Sequence, residues 1–344
     1  MLIAVTLSLA GALAFAMLAQ FVCARIDQRK FRAPGREIDI PGARMHVREM
    51  GVHGPTLVLE SGIAASSLNW CLLQPRLAAF AKTCSYDRAG FGWSTTENRS
   101  CSLTRITDDL HALVRALDLP VPFVIVAHSF GGYISRTYAQ RFPQDLAGVV
   151  LVDPLTPEEW ISPTSSQRWM LRRGIWFSRI GGVLAAVGLV RVCLWLLARG
   201  KSDVPKGVLA SFGNKATETV ARILRELLKL PPEVTRVIRA RWSTSQFFWT
   251  MAAYIQSLPR CAAELHDCPF PSDIPVTVLS GAHQTPERLA EHAAIANHSR
   301  RGRHLIAARG AHWIHLDQPE LVVEAVREIV ESSTVQPLTN RPTK

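Results

Sequence analysis

The arrangement of apolar and polar residues changes most sharply near the amino terminus. Residues 1–24 include no charged side chain and consist mainly of Leu, Ile, Val, Ala, Phe and Met. About 20 apolar residues in succession are enough for a helix to cross a bilayer. Basic residues follow at positions 25, 29, 30, 32 and 36. The pattern predicts a transmembrane anchor at 1–24, followed by a linker at 25–35.

The flanks of this apolar segment bear on its cleavage and its orientation. A secretory signal peptide normally starts with basic residues and ends in a small-x-small cleavage site. This segment has no Lys or Arg before it, and it ends in Phe21-Val22-Cys23-Ala24, a poor site. We therefore expect an uncleaved, single-pass anchor. Because positive flanking charge favours the cytoplasmic side, we expect the rest of the chain to be cytoplasmic.

Beyond the linker, short apolar runs alternate with longer stretches of helical periodicity. The runs predict strands at residues 36–40, 43–49, 56–60, 83–86, 123–127, 148–152, 275–280 and 304–307. The longer stretches predict helices at residues 67–80, 103–117, 131–142 and 319–331. Such alternation is typical of an α/β fold with a mostly parallel sheet and helices on both faces. The first two strands flank Pro41-Gly42 and predict a hairpin.

The long segment after the sixth predicted strand is helical by pattern and forms a predicted cap. Within it, residues 180–198 are almost all apolar apart from Arg191. A membrane span here would put two halves of one sheet on opposite sides, so we expect this segment to lie along the membrane surface, or to line an apolar pocket. The predicted parts of the chain are the anchor at 1–24, the linker at 25–35, the core at 36–155 and 272–335, the helical cap at 156–271 and a flexible tail at 336–344.

Charge and cysteine usage exclude several classes of partner. The formal net charge is +11, but the chain has no long Lys/Arg tract, no aromatic-basic RNA motif and no zinc-finger spacing. We therefore expect no nucleic acid. The arginines beside apolar segments are typical of a protein at an anionic membrane surface, and a solvated basic face is an equal alternative. The seven cysteines form no CxxC pair, so neither a metal site nor a disulfide framework is expected. A single Cys261–Cys268 bridge stays open as an alternative.

The motif with the clearest chemistry is Val126-Ala127-His128-Ser129-Phe130-Gly131-Gly132, where an apolar strand runs directly into a helix. A serine in such an elbow presents its hydroxyl clear of the sheet, and its neighbours must be small because strand and helix nearly touch. Ala127 stands where glycine is more usual, and its methyl is small enough for the elbow. Ser129 is therefore the candidate nucleophile.

A serine nucleophile needs a base, and the base needs an anion. His312 follows the last strand, at the same carboxyl edge of the sheet as Ser129, and is preferred to His304 and His315. Asp153 comes directly after the strand at 148–152 and is the candidate acid. The loop after the strand at 275–280 is the other place for an acid, but it has no carboxylate before position 287.

An oxyanion also needs backbone N–H donors. We expect one from Phe130, the residue after the nucleophile, and one from Ile63, in the loop after the strand at 56–60. Gly62 allows that loop to approach closely. Glu60 is expected to be structural and to pair with Arg88.

Together these motifs resemble the alpha/beta-hydrolase fold family over about Arg36 to Glu331. The resembling pieces are Glu60-Ser61-Gly62, Ser85-Tyr86-Asp87-Arg88-Ala89-Gly90, His128-Ser129-Phe130-Gly131-Gly132 and Gly310-Ala311-His312. Within that family the chain is similar to bacterial hydrolases with Glu-Ser-Gly where many members have His-Gly. The resemblance implies a Ser-Asp-His triad, no cofactor and a helical cap between the sixth and seventh strands.

The function expected from these residues is hydrolysis of a lipophilic carboxylic ester through an acyl-Ser129 intermediate. Alternatives with the same triad are hydrolysis of an amide, a thioester or a carbon–carbon bond. Serine at the elbow disfavours an aspartyl-nucleophile epoxide hydrolase or dehalogenase. A non-catalytic ligand-binding relative is the alternative from another class, and the oligomeric state stays open.

Overall fold

The structure is a computed structural model that describes residues 1–97, 101–198, 226–266 and 268–335. The chain divides into two compact units. Unit 1 comprises Met1–Pro34 and Trp169–Ile255, and unit 2 comprises Gly35–Arg168 and Gln256–Lys344. The predicted tail at 336–344 and residues 199–225 of the predicted cap lie outside the described residues.

Unit 2 contains a nine-stranded sheet. Its strands are β1 (Arg36–Ile40), β2 (Ala43–Met50), β3 (Thr56–Glu60), β4 (Lys82–Tyr86), β5 (Thr95–Thr96), β6 (Phe123–His128), β7 (Leu146–Val152), β8 (Val276–Gly281) and β9 (Arg303–Ala307). The spatial order is β1-β2-β4-β3-β6-β7-β8-β9, with β5 paired to β2. The β1–β2 hairpin and the β2–β4 pair are antiparallel, and every pair from β4 to β9 along the sheet is parallel. The predicted mostly parallel sheet is confirmed.

The helices follow the chain between and after these strands. They are α1 (Leu2–Lys30), α2 (Gln74–Leu77), α3 (Leu103–Ala116), α4 (Gly131–Arg141), α5 (Pro157–Ile161), α6 (Ser165–Ala186), α7 (Leu189–Ala198), α8 (Pro232–Trp242), α9 (Ser245–His266), α10 (Pro286–Asn297), α11 (Ile314–Asp317) and α12 (Pro319–Val335). The helical insertion follows β7, which is the sixth strand when the two-residue β5 is left out of the count.

The core of unit 2 is apolar and close-packed. Leu57, Leu59, Val124 and Val150 of the sheet are fully buried, in one cluster with Val326 of α12. Burying each such side chain contributes roughly 1.5–3 kcal/mol relative to leaving it exposed. This packing fixes the strand ends from which the candidate catalytic residues project.

The structure differs from the helix predicted at 67–80 and from the alternative of a disulfide bridge. The helix predicted at 67–80 is a 3₁₀ turn at Ser67–Trp70 followed by the short α2. The side chains of Ser66 and Asn69 cap the first piece, and the proline in the first turn of α2 starts the second. The alternative of a Cys261–Cys268 bridge is wrong, because all seven cysteines are free.

The described part of unit 1 is helical, and α1 is its longest helix. It is the one helix in the described ranges that is long and apolar enough to cross a membrane, with a mean hydropathy of 2.3 over its best window. A membrane anchor and a signal sequence share these features. Helices α6 and α7 pass the same test only as a pair, and the pair is bent by 96°.

Candidate active site

Ser129, the candidate nucleophile, lies in the tight connection between β6 and α4. Its φ is +54°, a left-handed conformation that residues other than glycine rarely adopt. Close packing explains the two glycines that follow. A Cβ on Gly131 would lie 2.8 Å from the carbonyl oxygen of Glu60, and one on Gly132 would lie 2.8 Å from Cβ of Pro154. The connection has the strained geometry expected of an exposed nucleophile at a strand–helix elbow.

Asp153, the candidate acid, follows β7 and also has a left-handed φ, of +44°. It is fully buried, and its Oδ2 lies 2.6 Å from Nδ1 of His312. The backbone N–H of Gly281 donates to Oδ1 at 3.1 Å. Burial alone would raise the pKa of Asp153, but the hydrogen bond and charge of His312 and the Gly281 N–H lower it below its usual value. An ionised Asp153 therefore holds the His312 ring with its proton on Nδ1.

Gln284 is a further partner of Asp153 that the sequence did not single out. Its Nε2 donates to Oδ1 at 2.9 Å and to Oδ2 at 2.7 Å. Gln284 lies in the loop after β8, the second place where an acid was sought. That loop supplies an amide that supports the carboxylate at the end of β7. Its only sequence signal is that position, because an amide carries no charge.

The loop between β9 and α11 carries His312, and several contacts hold it. A Cβ on Gly281 would lie 2.7 Å from the carbonyl oxygen of Ala311, so the end of β8 touches this loop directly. The Ala311 N–H donates to the Asp317 carboxylate at 2.9 Å. Nε2 of His128 lies 2.9 Å from the His312 carbonyl oxygen, which can only accept, so His128 is protonated on Nε2. The backbone on both sides of the imidazole is therefore fixed.

The rival histidines have other surroundings. His304 bonds the Ser280 hydroxyl through Nε2 at 2.7 Å. His315 is fully buried, with its ring 4.8 Å from that of Trp70. Burial, together with the charges of His315 and His312, holds the pKa of His128 well below its usual value, so that ring is neutral. Among the three candidates considered for the base, the structure brings His312 into contact with Asp153.

The residue before Ser129 lies next to His312, but no hydrogen bond joins the side chains of Ser129 and His312 in the described residues. The His312 ring lies 4.7 Å from the ring of His128, the residue before Ser129. Ser129 is 8% exposed, whereas the His312 side chain is 35% exposed. Nucleophile–base hydrogen bonds are commonly long without substrate and tighten in the reacting complex. The base is accessible from outside the core of unit 2.

The loop after β3 passes directly over the nucleophile. A Cβ on Gly62 would lie 3.3 Å from Cβ of Ser129, so glycine is needed for this approach. Ala64 has a left-handed φ of +59°, a further strained position. The intervening N–H of Ile63 donates to no acceptor in the part of the chain that the structure describes. Phe130, the second predicted donor, lies at the N-terminus of α4, where backbone N–H groups and the helix dipole favour an anion.

A buried ion pair holds the start of this loop. The Arg88 guanidinium bonds the Glu60 carboxylate and also donates to the carbonyl oxygens of Ser61 and Gly62. The expected Glu60–Arg88 pair is confirmed. Burial raises the pKa of Glu60, against the charge of Arg88 and the hydrogen bond from Tyr86. The Arg88 side chain therefore links strand β3 to the loop that carries Ile63. The sequence did not predict this connection.

Comparisons with known proteins agree with this architecture. A family model described as alpha/beta hydrolase fold matches residues 55–174. An AB hydrolase superfamily protein from Gibberella zeae is 22% identical over 80% of this chain and 86% of its own length. A haloalkane dehalogenase from Sphingobium indicum is 30% identical over 36% of this chain and 43% of its own length. A thermophilic esterase from Thermogutta terrifontis is 19% identical, with a TM-score of 0.57 over 87% of this chain and 98% of that chain.

Other curated relatives match over shorter stretches. Three of them are 25–33% identical over 24–38% of this chain, and the matched stretches span 46%, 41% and 15% of their lengths. The chain therefore spans less than half of each of these relatives. The likeness to solved structures shows the fold, and it confirms the α/β architecture expected from the sequence.

Proposed function

We propose that this chain, which belongs to the alpha/beta-hydrolase fold family, is a serine hydrolase that cleaves a lipophilic carboxylic ester through an acyl-Ser129 intermediate. The observation that carries the proposal is the 2.6 Å contact between Asp153 Oδ2 and His312 Nδ1, at the sheet edge where Ser129 occupies its strained elbow. Nucleophile, base and acid follow each other in the chain order of this fold's triads.

The proposed first half-reaction forms the acyl-enzyme. Because the Nδ1 proton of His312 is engaged by Asp153, its Nε2 is the atom that accepts the Ser129 proton. The serine oxygen bonds to the ester carbonyl carbon, and the developing oxyanion receives hydrogen bonds from the N–H groups of Ile63 and Phe130. The tetrahedral intermediate then expels the alcohol, which takes the proton from His312. The ester oxygen thus leaves as a neutral alcohol and the acyl group stays on Ser129.

The second half-reaction repeats these steps with water. His312 accepts a proton from a water molecule, whose oxygen bonds to the acyl carbon. The bond between the acyl carbon and the Ser129 oxygen then breaks, and His312 returns the proton to that oxygen. The products are the carboxylic acid and the regenerated serine. No cofactor enters this scheme, and the two oxyanion donors act in both halves.

Serine at the elbow favours this chemistry over that of the dehalogenase relative. Carbon–halogen displacement of the kind considered above needs a carboxylate nucleophile, and the side chain after β6 is a hydroxyl. The likeness to a thermophilic esterase is one of fold and does not select the scissile bond. An amide, a thioester or a carbon–carbon bond could enter the same triad, so the scissile bond is part of the proposal.

The proposed substrate is lipophilic and the proposed location is the membrane. Support comes from α1, whose residues before Gln20 are exposed and apolar, and from exposed tryptophans at 169, 176 and 195. Such surfaces are typical of membrane contact. We propose that 1–24 anchors the chain with its catalytic part on the cytoplasmic side.

The test is hydrolysis of p-nitrophenyl esters, from acetate to laurate, by detergent-solubilised full-length protein. Ser129→Ala should lower kcat by roughly 10³-fold or more, since the nucleophile acts as part of a unit with its base and acid. Ser162→Ala is the matched control, because Ser162 is exposed and outside the site. A fluorophosphonate probe should label the native chain and the control at Ser129, and should leave Ser129→Ala unlabelled.

Two results would overturn parts of this proposal. Probe labelling of Ser129 without turnover of any ester would leave the serine nucleophile and reject the ester. Equal turnover by the native chain and Ser129→Ala, with no labelling of Ser129, would reject the serine mechanism itself.

A further inference from the structure

The exposure of helix α1 changes at Gln20. Residues 2–19 are exposed almost throughout, and Gln20 is the one residue of α1 that is buried. At 1.5 Å per residue, the exposed part is about 27 Å long. The hydrocarbon core of a bilayer is about 30 Å thick. Gln20 thus marks the level at which a spanning α1 would leave the apolar layer.

Beyond that level, α1 is bound by the rest of unit 1. Nε of Arg191 in α7 donates to Oε1 of Gln20 at 2.8 Å, and its guanidinium also pairs with Asp27. Nε2 of Gln20 donates to the carbonyl oxygen of Ser243 at 2.8 Å. At the bend between α6 and α7, Gly188 has a φ of +79°, and a Cβ there would lie 3.5 Å from Gln20. These contacts tie α7 to the polar end of α1.

The same contacts distinguish an anchor from a signal sequence. Cleavage after residue 24 would remove Gln20 and leave Arg191 and the Ser243 carbonyl without that partner. Losing one partner leaves a partly buried polar group without its hydrogen bond, which destabilises the folded unit. The second half of α1 is therefore built as part of the folded unit.

Helix α6 has one face that is exposed among the described residues of unit 1. Trp169, Arg172, Trp176, Arg179 and Val183 are exposed and follow each other at alternating spacings of three and four residues, as one stripe of a helix does. The opposite face is buried and includes Leu171, Ser178, Gly181, Gly182 and Ala185.

The buried face of α6 needs its glycines, because a Cβ on Gly181 would lie 2.5 Å from the ring of Phe248, and one on Gly182 would lie 3.0 Å from the ring of Trp249. Both rings belong to α9. The buried face thus packs within unit 1, and the stripe lies on the other side of α6.

The positive charge of residues 165–198 indicates what kind of surface they bind. Residues 165–198 contain five arginines and no acidic residue. Exposed apolar side chains of α7, at Leu189, Val192 and Trp195, extend the same region. Tryptophan and arginine side by side suit the headgroup level of an anionic bilayer, where indole rings and guanidinium groups both find partners.

We propose that α6 and α7 form a second membrane-contact surface for anionic lipid, and that Arg191 holds this surface at the level where a retained α1 leaves the bilayer. The inference rests on the proposed membrane location and is independent of the catalytic proposal. One helix fixes the chain to the membrane, and the other two lie along its surface.

The test uses the full-length chain in vesicles of phosphatidylcholine, alone or with 30% phosphatidylglycerol, and brominated lipids as quenchers of tryptophan fluorescence. Trp169→Phe with Trp176→Phe should lower the bromolipid-dependent quenching at least roughly twofold, because interfacial indoles lie at headgroup depth. Trp160→Phe is the control, since Trp160 is buried in unit 2 and should leave the quenching unchanged. Arg172→Gln should lower the extra quenching that phosphatidylglycerol produces.

Arg191→Gln and the amino terminus complete the test. The variant should show less quenching than the native chain, while alkaline carbonate leaves both in the membrane pellet. Peptide mapping of native protein extracted from membranes should recover peptides from within residues 2–24. Equal quenching in the native chain and the double tryptophan variant would overturn the second surface, and a mature chain that begins after residue 24 would overturn the retained α1.

Discussion

The two units of this chain place their polar and apolar groups in opposite ways. In unit 2 the charged groups that matter are inside: Glu60 and Asp153 are fully buried, and each has its hydrogen-bond partners there. In unit 1 apolar side chains such as Leu7, Phe15 and Trp176 are more than half exposed. Unit 2 therefore holds reactive groups in fixed positions, whereas unit 1 exposes apolar side chains to its surroundings.

The comparison assigns different measurements to the two units. Changes at the sheet edge of unit 2 should alter turnover and leave membrane retention intact. Changes on α6 or at Arg191 should alter lipid contact and leave the triad geometry intact. A variant that changed turnover and lipid contact together would contradict this separation of the two units.

Among the changes that keep the nucleophile, the largest effect is expected for Asp153→Asn. The amide has the size of the carboxylate but not its charge, so the favoured tautomer of His312 and the stabilisation of its protonated form are lost. We expect kcat to fall by roughly 10³- to 10⁴-fold with normal folding. The measurement is ester turnover, run beside carbonate extraction of the same variant, which should stay in the pellet.

Gln284→Ala is the matched control for that variant. It removes an amide that donates to Asp153 and keeps the carboxylate itself. One hydrogen bond to a charged group contributes about 1.5–3 kcal/mol, so the loss of kcat should be smaller, at most roughly 100-fold. Normal turnover by Asp153→Asn would remove Asp153 from the triad.

The sequence indicated these roles unevenly, for physical reasons. Ser129 was predictable because the elbow is local: an apolar strand, a serine and two glycines in succession. Asp153 was predictable because its neighbour in sequence is a buried strand end. Gln284 was not, because an amide at a strand end carries no charge pattern that points to a partner 131 residues away in sequence.

The fold shows the same difference between features that are local in sequence and features that depend on distant contacts. The strands were predictable from apolar runs, since buried parallel strands are apolar on both faces. The two-residue β5 was not, because pairing to β2 alone defines it. The break between Ser67–Trp70 and α2 depends on side-chain capping, and the bond from Arg88 to the carbonyl oxygens of Ser61 and Gly62 depends on tertiary approach.

A smaller effect is expected for Arg88→Lys. Lysine can pair with Glu60, but a single ammonium cannot match the planar fork that reaches the Ser61 and Gly62 carbonyl oxygens as well. The loop that carries Ile63 should then be placed less well. Since a misplacement of about 1 Å can cost 10²-fold, we expect kcat to fall roughly 10- to 100-fold with little change in KM.

The readout must separate positioning from loss of folding. Affinity for a phosphonate transition-state analogue should fall with kcat, while the thermal midpoint changes little. Glu60→Gln with Arg88→Met is the companion variant, since it removes both buried charges and keeps similar volumes. It should also lose analogue affinity. A variant with kcat and analogue affinity unchanged would show that Arg88 supports the fold alone.

The last expected effect is on acid stability and not on turnover, and it separates the units by composition. All eleven histidines lie in unit 2, and unit 1 has none. Burial lowers the pKa of His292 to about 4, against the opposing effect of nearby Asp153. Its ring nitrogens bond the Ser280 hydroxyl and the Pro154 carbonyl oxygen, at 2.7 and 2.9 Å.

The direction in which stability changes with pH follows from the folded and unfolded pKa values of His292. The folded value of about 4 lies below the unfolded value of about 6.5, so between these pH values the unfolded chain binds more protons. Stability is therefore lost as pH falls from about 6.5 towards 4, by up to about 3 kcal/mol for this residue. His292→Gln keeps a donor and an acceptor but does not titrate. Its thermal midpoint should fall less between pH 7 and pH 4.5 than that of the native chain, and equal falls would assign the acid sensitivity to other groups of unit 2, such as His128 and His304, whose pKa values burial also lowers.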